Sequence, residues 1–407
     1  MRYKQTHEPI TQIARALGVE AIVEGAVARS GDRVTVTVQL IDATEDRHLW
    51  ARSYTRDVKD LLGVETELSQ EIASQVGGAL AAPRHPDEAA SRPVDPQVHE
   101  LCLLGRYHWN QRTAAGLEKS ADYYQQAIQR DPSYAPAYAG LAAAYAILPQ
   151  YASIDRQASY AKAAAAARQA LELDGNLAEA HATLAFVVLV GPHWKQSEPE
   201  FRRALELNPN DATAHHWFAL YLLFSNRIDA ALAEMEAARR LDPLSAIINA
   251  DEGHLLYVSR RYPEARARLR RAIELAPDLG QPHETLALMA LETGSASDAL
   301  AEARTGLALD PSNPRTMGEA GYVFALTGHS EEAGKLLATL SELTKRGSAY
   351  PAFAGLVDLG LGRRNDALDE IKEGAKLGAA SSIIQWHAFD ELNADPQYRK
   401  VIAEARQ

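Results

Sequence analysis

Apolar and small residues return along most of the chain at helical spacing, and the stretches that carry them end alike. "EAARRLDPL" (residues 236–244), "RRALELNPN", "RRAIELAPD" and "RTGLALDPS" each close a helical pattern just before a proline. Pro209, Pro243, Pro277 and Pro311 lie 34 residues apart. With the proline set at position 32 of a 34-residue unit, position 8 holds Ala185, Ala219, Gly253, Ala287, Gly321 and Gly355. Position 20 holds Ser197, Ala231, Ala265, Ala299, Ala333 and Ala367, and position 24 the bulkier Phe201, Met235, Leu269, Leu337 and Ile371. Two helices that cross closely need small residues at the contact and large ones beside it. "TG", "SN" or "LG" falls between the two helices, and the proline stops the second. The pattern predicts a run of helix–turn–helix units.

The first eighty residues follow another rhythm. "PITQIARALG" predicts a short amphipathic helix, with Ile10, Ile13, Ala14 and Leu17 on one face and Gly18 as its stop. "EAIVEGAVAR" and "RVTVTVQLIDA" alternate with period two around "SGD", a hairpin signal, and "RHLWARSYTR" supplies a third strand. A helix from about Asp57 to Leu80 is expected next, its stripe formed by Leu61, Val64, Leu68, Ile72 and Val76. The linker "APRHPDEAASRPVDPQ" follows, rich in proline and charge.

The 34-residue register resembles the tetratricopeptide repeat (TPR), a helix–turn–helix unit with small residues at positions 8 and 20 and proline at 32. It extends both ways with identifiable faults. Upstream, "YAGLAAAYAIL" and "AAAAARQALELD" form a unit whose turn is lengthened by about nine residues around "PQYASIDRQ". Earlier still, "ELCLLGRYHWNQRTAAGLEKSADYYQQAIQRDP" carries Gly105, Ala121, Ala127 and Pro132. Downstream, Lys345 and Ala379 replace the proline. The expected architecture is an α+β amino-terminal module followed by an all-α TPR superhelical solenoid. Its parts are a module over residues 1–82, a linker over 83–97, about eight repeats over 98–392 and a capping helix over 393–407, which a solenoid needs to cover its last apolar face.

The order helix, hairpin, "HLW" strand and long helix, then an array opening with "GRYHWNQRT", resembles a bacterial family. In it a small module similar to the TolB amino-terminal fold precedes TPRs, in the carboxy-terminal half of regulators that begin with a winged-helix, Ser/Thr kinase or adenylate cyclase domain. The resemblance implies a strand immediately before "RYK". Met1 stands at that point, so the module is expected to lack its first strand.

Composition narrows the function classes. The chain has 407 residues, 46% hydrophobic and 24% charged, the proportions of a soluble globular protein. No stretch approaches the roughly 18 apolar residues of a membrane span. "MRYKQTHEPITQ" has no apolar core of a signal peptide, so the chain is expected to be cytoplasmic as written, or periplasmic within a longer membrane-anchored relative. Its net charge of −12 is spread, with 9 basic and 12 acidic residues in the first 82. No basic face for nucleic acid is predicted. "TQIARALGV" looks like the opening of a helix-turn-helix, yet β-branched alternation follows where a recognition helix should stand.

Catalytic constellations are missing from the pattern. His215-His216 point about 100° apart on a helix, and Leu220 occupies the i+4 place a zinc partner would need. Cys102 has no evident activating partner, no Gly-x-Ser-x-Gly elbow occurs, and the kinase signatures "HRD" and "DFG" are missing. No enzyme activity, metal or cofactor is therefore expected. What remains is the concave face, which in TPRs is lined by first-helix positions 2, 5, 9 and 12, with 13 nearby. Here these positions supply Phe186, His216, Leu220, Phe224, His254, Tyr257, Leu288 and Tyr322. Aromatic and His side chains join apolar area to a polar tip, which suits a protein or peptide partner. A carboxylate clamp is disfavoured, because Ala182, His216, Ala250 and Glu284 stand at position 5 instead of Lys, Arg or Asn. The pattern leaves the oligomeric state open.

Overall fold

A computed structural model of the chain describes residues 9–17, 19–31, 33–42, 47–57, 94–377 and 387–405. These fall into two compact units, residues 1–100 and 101–407.

The first unit holds helix α1 (Ile10–Leu17) and three strands, β1 (Ala21–Ser30), β2 (Arg33–Asp42) and β3 (Arg47–Asp57). They form an antiparallel sheet in the order β1-β2-β3, as the period-two alternation predicts. The β1–β2 turn places Gly31 at φ +62, which a residue without Cβ adopts without strain. Val34, Val38 and Leu40 are buried on one face of β2, and Tyr54 of β3, paired with Val36, is buried too. The other face carries cross-strand polar pairs: Thr35 with Thr55 at 3.1 Å, Thr37 with Ser53 at 3.2 Å, and Gln39 donating to Glu24 at 2.7 Å. A register shift opposite Leu40 and Ile41 leaves Leu49 as the extra residue of β3, and Leu40 and Ile41 are both buried. The helix expected from Asp57 to Leu80 and most of the linker lie outside the described residues, and Asp57 itself closes β3.

The second unit is an all-α solenoid of the TPR type. Its described helices pair as α2 (Pro96–Trp109) with α3 (Ala114–Arg130), α4 (Ala135–Ile147) with α5 (Arg156–Leu173), α6 (Ala178–Leu189) with α7 (Glu198–Leu207), and α8 (Ala212–Phe224) with α9 (Ile228–Leu241). Then follow α10 (Ala246–Val258) with α11 (Tyr262–Leu275), α12 (Gln281–Glu292) with α13 (Ala296–Leu309), α14 (Pro314–Leu326) with α15 (Ser330–Lys345), and α16 (Pro351–Gly360) with α17 (Arg364–Lys376). A 3-10 segment, His387–Leu392, and α18 (Pro396–Ala405) complete it.

The repeat positions do what their sizes require. Ser197, Ala231, Ala265, Ala299, Ala333 and Ala367 are all fully buried. A Cβ added at Gly253 would lie 2.7 Å from Leu269 on α11, and one at Gly321 would lie 2.7 Å from Val357 on α16, so these crossings admit no larger residue without movement. Each turn inside a later unit is a Schellman closure. In the α8–α9 turn Asn226 N donates to Leu223 O and Arg227 N to Leu222 O, and the same pair of bonds recurs at residues 260–261, 294–295, 328–329 and 362–363. The residue at the left-handed position is Asn226, Arg260, Gly294, Gly328 and Gly362 in turn, with φ from 58 to 85. Asp155, Asp211, Ser245 and Asn313 cap the following helices with their side chains.

Two of the faults in the register have structural answers, while Ala379 lies outside the described residues. Where Lys345 replaces proline, α15 runs on to that residue and stops at Gly347, φ +71, with Ser348 N bonded to Leu343 O. The lengthened turn after α4 forms a 3-10 turn, Leu148–Gln150, and a loop ended by the Asp155 cap of α5.

Candidate functional site

That lengthened turn reaches residues some 160 positions away. Asn313 Nδ2 donates to Gln150 O at 3.0 Å, and Ser153 Oγ donates to Ser312 O at 2.8 Å. Arg156 N approaches Gly347 O at 3.4 Å, and the Tyr350 hydroxyl donates to Val190 O at 2.9 Å. The Arg156 guanidinium also lies over the Tyr350 ring, 3.4 Å from its centroid. The second helix pair thus touches the start of α14 and the α15–α16 turn, so the array closes on itself around a cavity of about 220 Å³.

Five of the sequence-predicted groove residues line this cavity: Phe186 from α6, His216, Leu220 and Phe224 from α8, and His254 from α10. Phe186 packs on Trp217 with ring centroids 4.5 Å apart. The other three are placed elsewhere. Tyr257 is 1% exposed, its hydroxyl donating to Glu292 at 2.5 Å and its ring 4.7 Å from His387, which brings the carboxy-terminal segment against α10. Leu288 is buried in the core of the later repeats. Tyr322 packs between units, its ring and backbone against Gly360.

The cavity also gathers residues that the position rule did not name. Arg112 and Arg156 come from the two early turns, Arg315 from the first turn of α14, Asp251 from α10, Tyr151 from the insertion, Tyr160 from α5, and Tyr350 from the start of α16. One signal for them was in the sequence: the extra residues "PQYASIDRQ" include Gln150, Tyr151 and Arg156.

Electrostatics divides the lining. Asp251 Oδ2 sits 2.6 Å from His216 Nε2, and Gln281 donates to its other oxygen at 2.5 Å. Burial would raise this carboxyl, but His216, Arg315 and Gln281 overcome it and hold it below the usual range. Burial pushes Glu284 up to about 8, with Glu319 adding to the rise and Arg315 and the Thr316 hydroxyl opposing it. Arg315 donates from Nε to Glu319 at 2.8 Å and lies 3.6 Å from Glu284. Burial lowers Arg112, against the opposing effects of Tyr151 and Asp251.

The histidines outside the cavity have a different role. His181, His215 and His283, at one repeat position, bond Glu200, Glu234 and Glu302 on the following helix at 2.5 to 2.6 Å. His215 and His216, adjacent in sequence, thus serve different partners on different helices, Glu234 on α9 and Asp251 on α10. Burial, with help from Glu179, pushes the Cys102 thiol up to about 12, so it is not a thiolate near neutral pH. Among the described residues no group of three or more His, Cys, Asp or Glu is placed to hold a metal ion, and no helix is long and apolar enough to cross a membrane.

No family model matches the chain. It is 28% identical over 188 residues to the protein named "Putative adenylate cyclase 3" of Rhizobium meliloti (strain 1021), a match covering 46% of this chain and 32% of that one. The matched part is thus about a third of the curated relative's length. Among solved structures, human IFIT1 as a dimer with m7Gppp-AAAA aligns with a TM-score of 0.51 at 16% identity, over 76% of this chain and 77% of that one. A monomeric IFIT1 mutant with Gppp-AAAA gives 0.52 at 14% identity, over 84% and 76%. At these identities the likeness is one of fold.

Proposed function

We propose that the chain is a non-catalytic interaction module whose array receives a protein partner on its inner face. The observation that carries this is the convergence of Phe186, His216, Leu220, Phe224 and His254, from three neighbouring first helices, on one cavity. An apolar side chain or short extended segment of the partner would enter there. The division into a module over 1–82, a linker over 83–97, repeats to 392 and a cap from 393 belongs to the same proposal. Replacing Leu220 and Phe224 together by Ala tests it. A partner isolated with the wild-type chain should bind the double variant at least tenfold more weakly, since anchors of this kind contribute about 2 kcal/mol each, while the helical circular dichroism stays near wild type. Equal affinity for both chains would move the partner off this face.

A second reading has an observation of its own. The match to about a third of the protein named "Putative adenylate cyclase 3" favours a regulatory half of a larger signalling protein, with a kinase, cyclase or DNA-binding domain outside this stretch. An in-frame coding stretch upstream of the Met1 codon supports it, and a stop codon followed directly by a ribosome-binding site opposes it.

A further inference from the structure

The cavity wall contains a cation without an acidic partner. Among the described residues, Arg315 is bonded to Glu319, and the lining acids are engaged as well: Asp251 by His216 and Gln281, Glu284 by Thr316, Asp310 by Asn313. Arg156 differs. It stacks on Tyr350, and its Nε and Nη1 are buried without a hydrogen-bond acceptor. The Tyr160 and Tyr350 hydroxyls beside it are hydrogen-bonded to each other, and Arg156 acts on both. Buried charged donors without acceptors are costly and call for an explanation. A guanidinium held flat on a ring keeps its edges for a planar anion, and a carboxylate matches the edge formed by Nη2 with either Nε or Nη1 through two parallel hydrogen bonds.

Beside Arg156 and these engaged polar groups, the wall has an apolar and aromatic part. Phe186, Leu189, Trp217, Leu220, Phe224 and Phe353 line the same cavity. A few polar groups set among aromatic side chains are the usual make-up of a small-molecule site. The volume of about 220 Å³ lies below the range for drug-sized ligands and suits a molecule of metabolite size.

We propose that the cavity binds a small organic anion, an apolar or aromatic monocarboxylate, its carboxylate against Arg156 and its body against Phe186, Trp217 and Leu220. This goes beyond the scaffold reading and needs no protein partner, so its test is independent of that one.

The test uses the purified full chain and benzoate, with inorganic phosphate and benzylammonium for comparison. Benzoate should bind saturably, raising the melting temperature and changing the fluorescence of Trp217 in the wall. Benzylammonium, the same ring with the opposite charge, should do neither. Arg156→Leu should weaken benzoate at least tenfold, and Arg156→Lys, which keeps the charge and loses the fork, should fall between. If Arg156→Leu does not fold, the comparison rests on Arg156→Lys and on the charge preference between the two probes. Three results would overturn the proposal: equal benzoate affinity in wild type and folded Arg156 variants, stronger binding of benzylammonium than of benzoate, or saturable binding of phosphate without benzoate.

Discussion

Glu284 is a carboxyl that neighbours only half prepare for charge. It is 4% exposed, accepts from the Thr316 hydroxyl, and shares Arg315 with Glu319. Burial therefore raises it to about 8, above its ordinary 4.5. The folded state then holds a proton that the unfolded state releases between pH 4.5 and about 8. Its contribution is full below the unfolded value and is lost as pH rises through the folded one. In Glu284→Gln the neutral state is permanent. Melting temperatures from pH 5 to 9 should show the wild type losing ground to Glu284→Gln up to about pH 8, then running parallel to it. Parallel curves over the whole range would mean that Glu284 titrates normally. His215 adds a change of the same sign. Burial lowers it, but its bonds to Glu234 and to Pro209 O prevail and raise it, so its contribution is complete below about 6.5 and fades as pH rises through the raised value.

At the scale of the element, the turns inside the units separate what local sequence can encode from what it cannot. Gly294, Gly328 and Gly362 mark a left-handed position that their residue type announces. Arg260 occupies the same position at φ +58, and nothing in its own chemistry reveals it; only the 34-residue register does. Around Gly328 nothing lies within 4 Å of an added Cβ, so Gly328→Ala isolates the torsional term. It should destabilise the α14–α15 unit by about 1 to 2 kcal/mol, with faster hydrogen exchange confined to that unit and its neighbours, because repeats contact mainly those beside them. Uniform acceleration across the array would contradict separable units. The helices, the sheet and the small-residue crossings were legible for the same reason, since each rests on spacings of a few residues. Tyr257 shows the limit. Its position assigns it to the concave side, but what its ring meets is His387, 130 residues later, which no periodicity encodes.

For the 101–407 unit as a whole, the consequential feature is closure, and it arises from the very residues that break the repeat. An insertion that looks like a fault in the 34-residue register carries Gln150, Ser153 and Arg156 to Asn313, Ser312 and Gly347. Contacts this distant in sequence leave no local trace, so the lining from Arg112 and Tyr350 could not be read from the pattern and Arg156 was marked only by the insertion that carries it, whereas Phe186, His216 and Leu220 could be read. Closure also changes what the inner face can accept, from a groove open along its length to a bounded cavity. The contact between Ser153 and Ser312 gives it a direct test, because both residues are exposed and Cys102 is the chain's only cysteine. Cysteines introduced at both positions should be joined in the folded chain by a short thiol-to-thiol reagent. Cys102 should not compete near neutral pH, as its thiol is pushed up to about 12. The bridge should form much faster in native buffer than in denaturant, and Asn313→Ala, which removes the neighbouring bond to Gln150, should slow it. A bridge that forms no faster in the folded chain than in the unfolded one would mean that the array stands open in solution, and the cavity at Arg156 would lose its far wall.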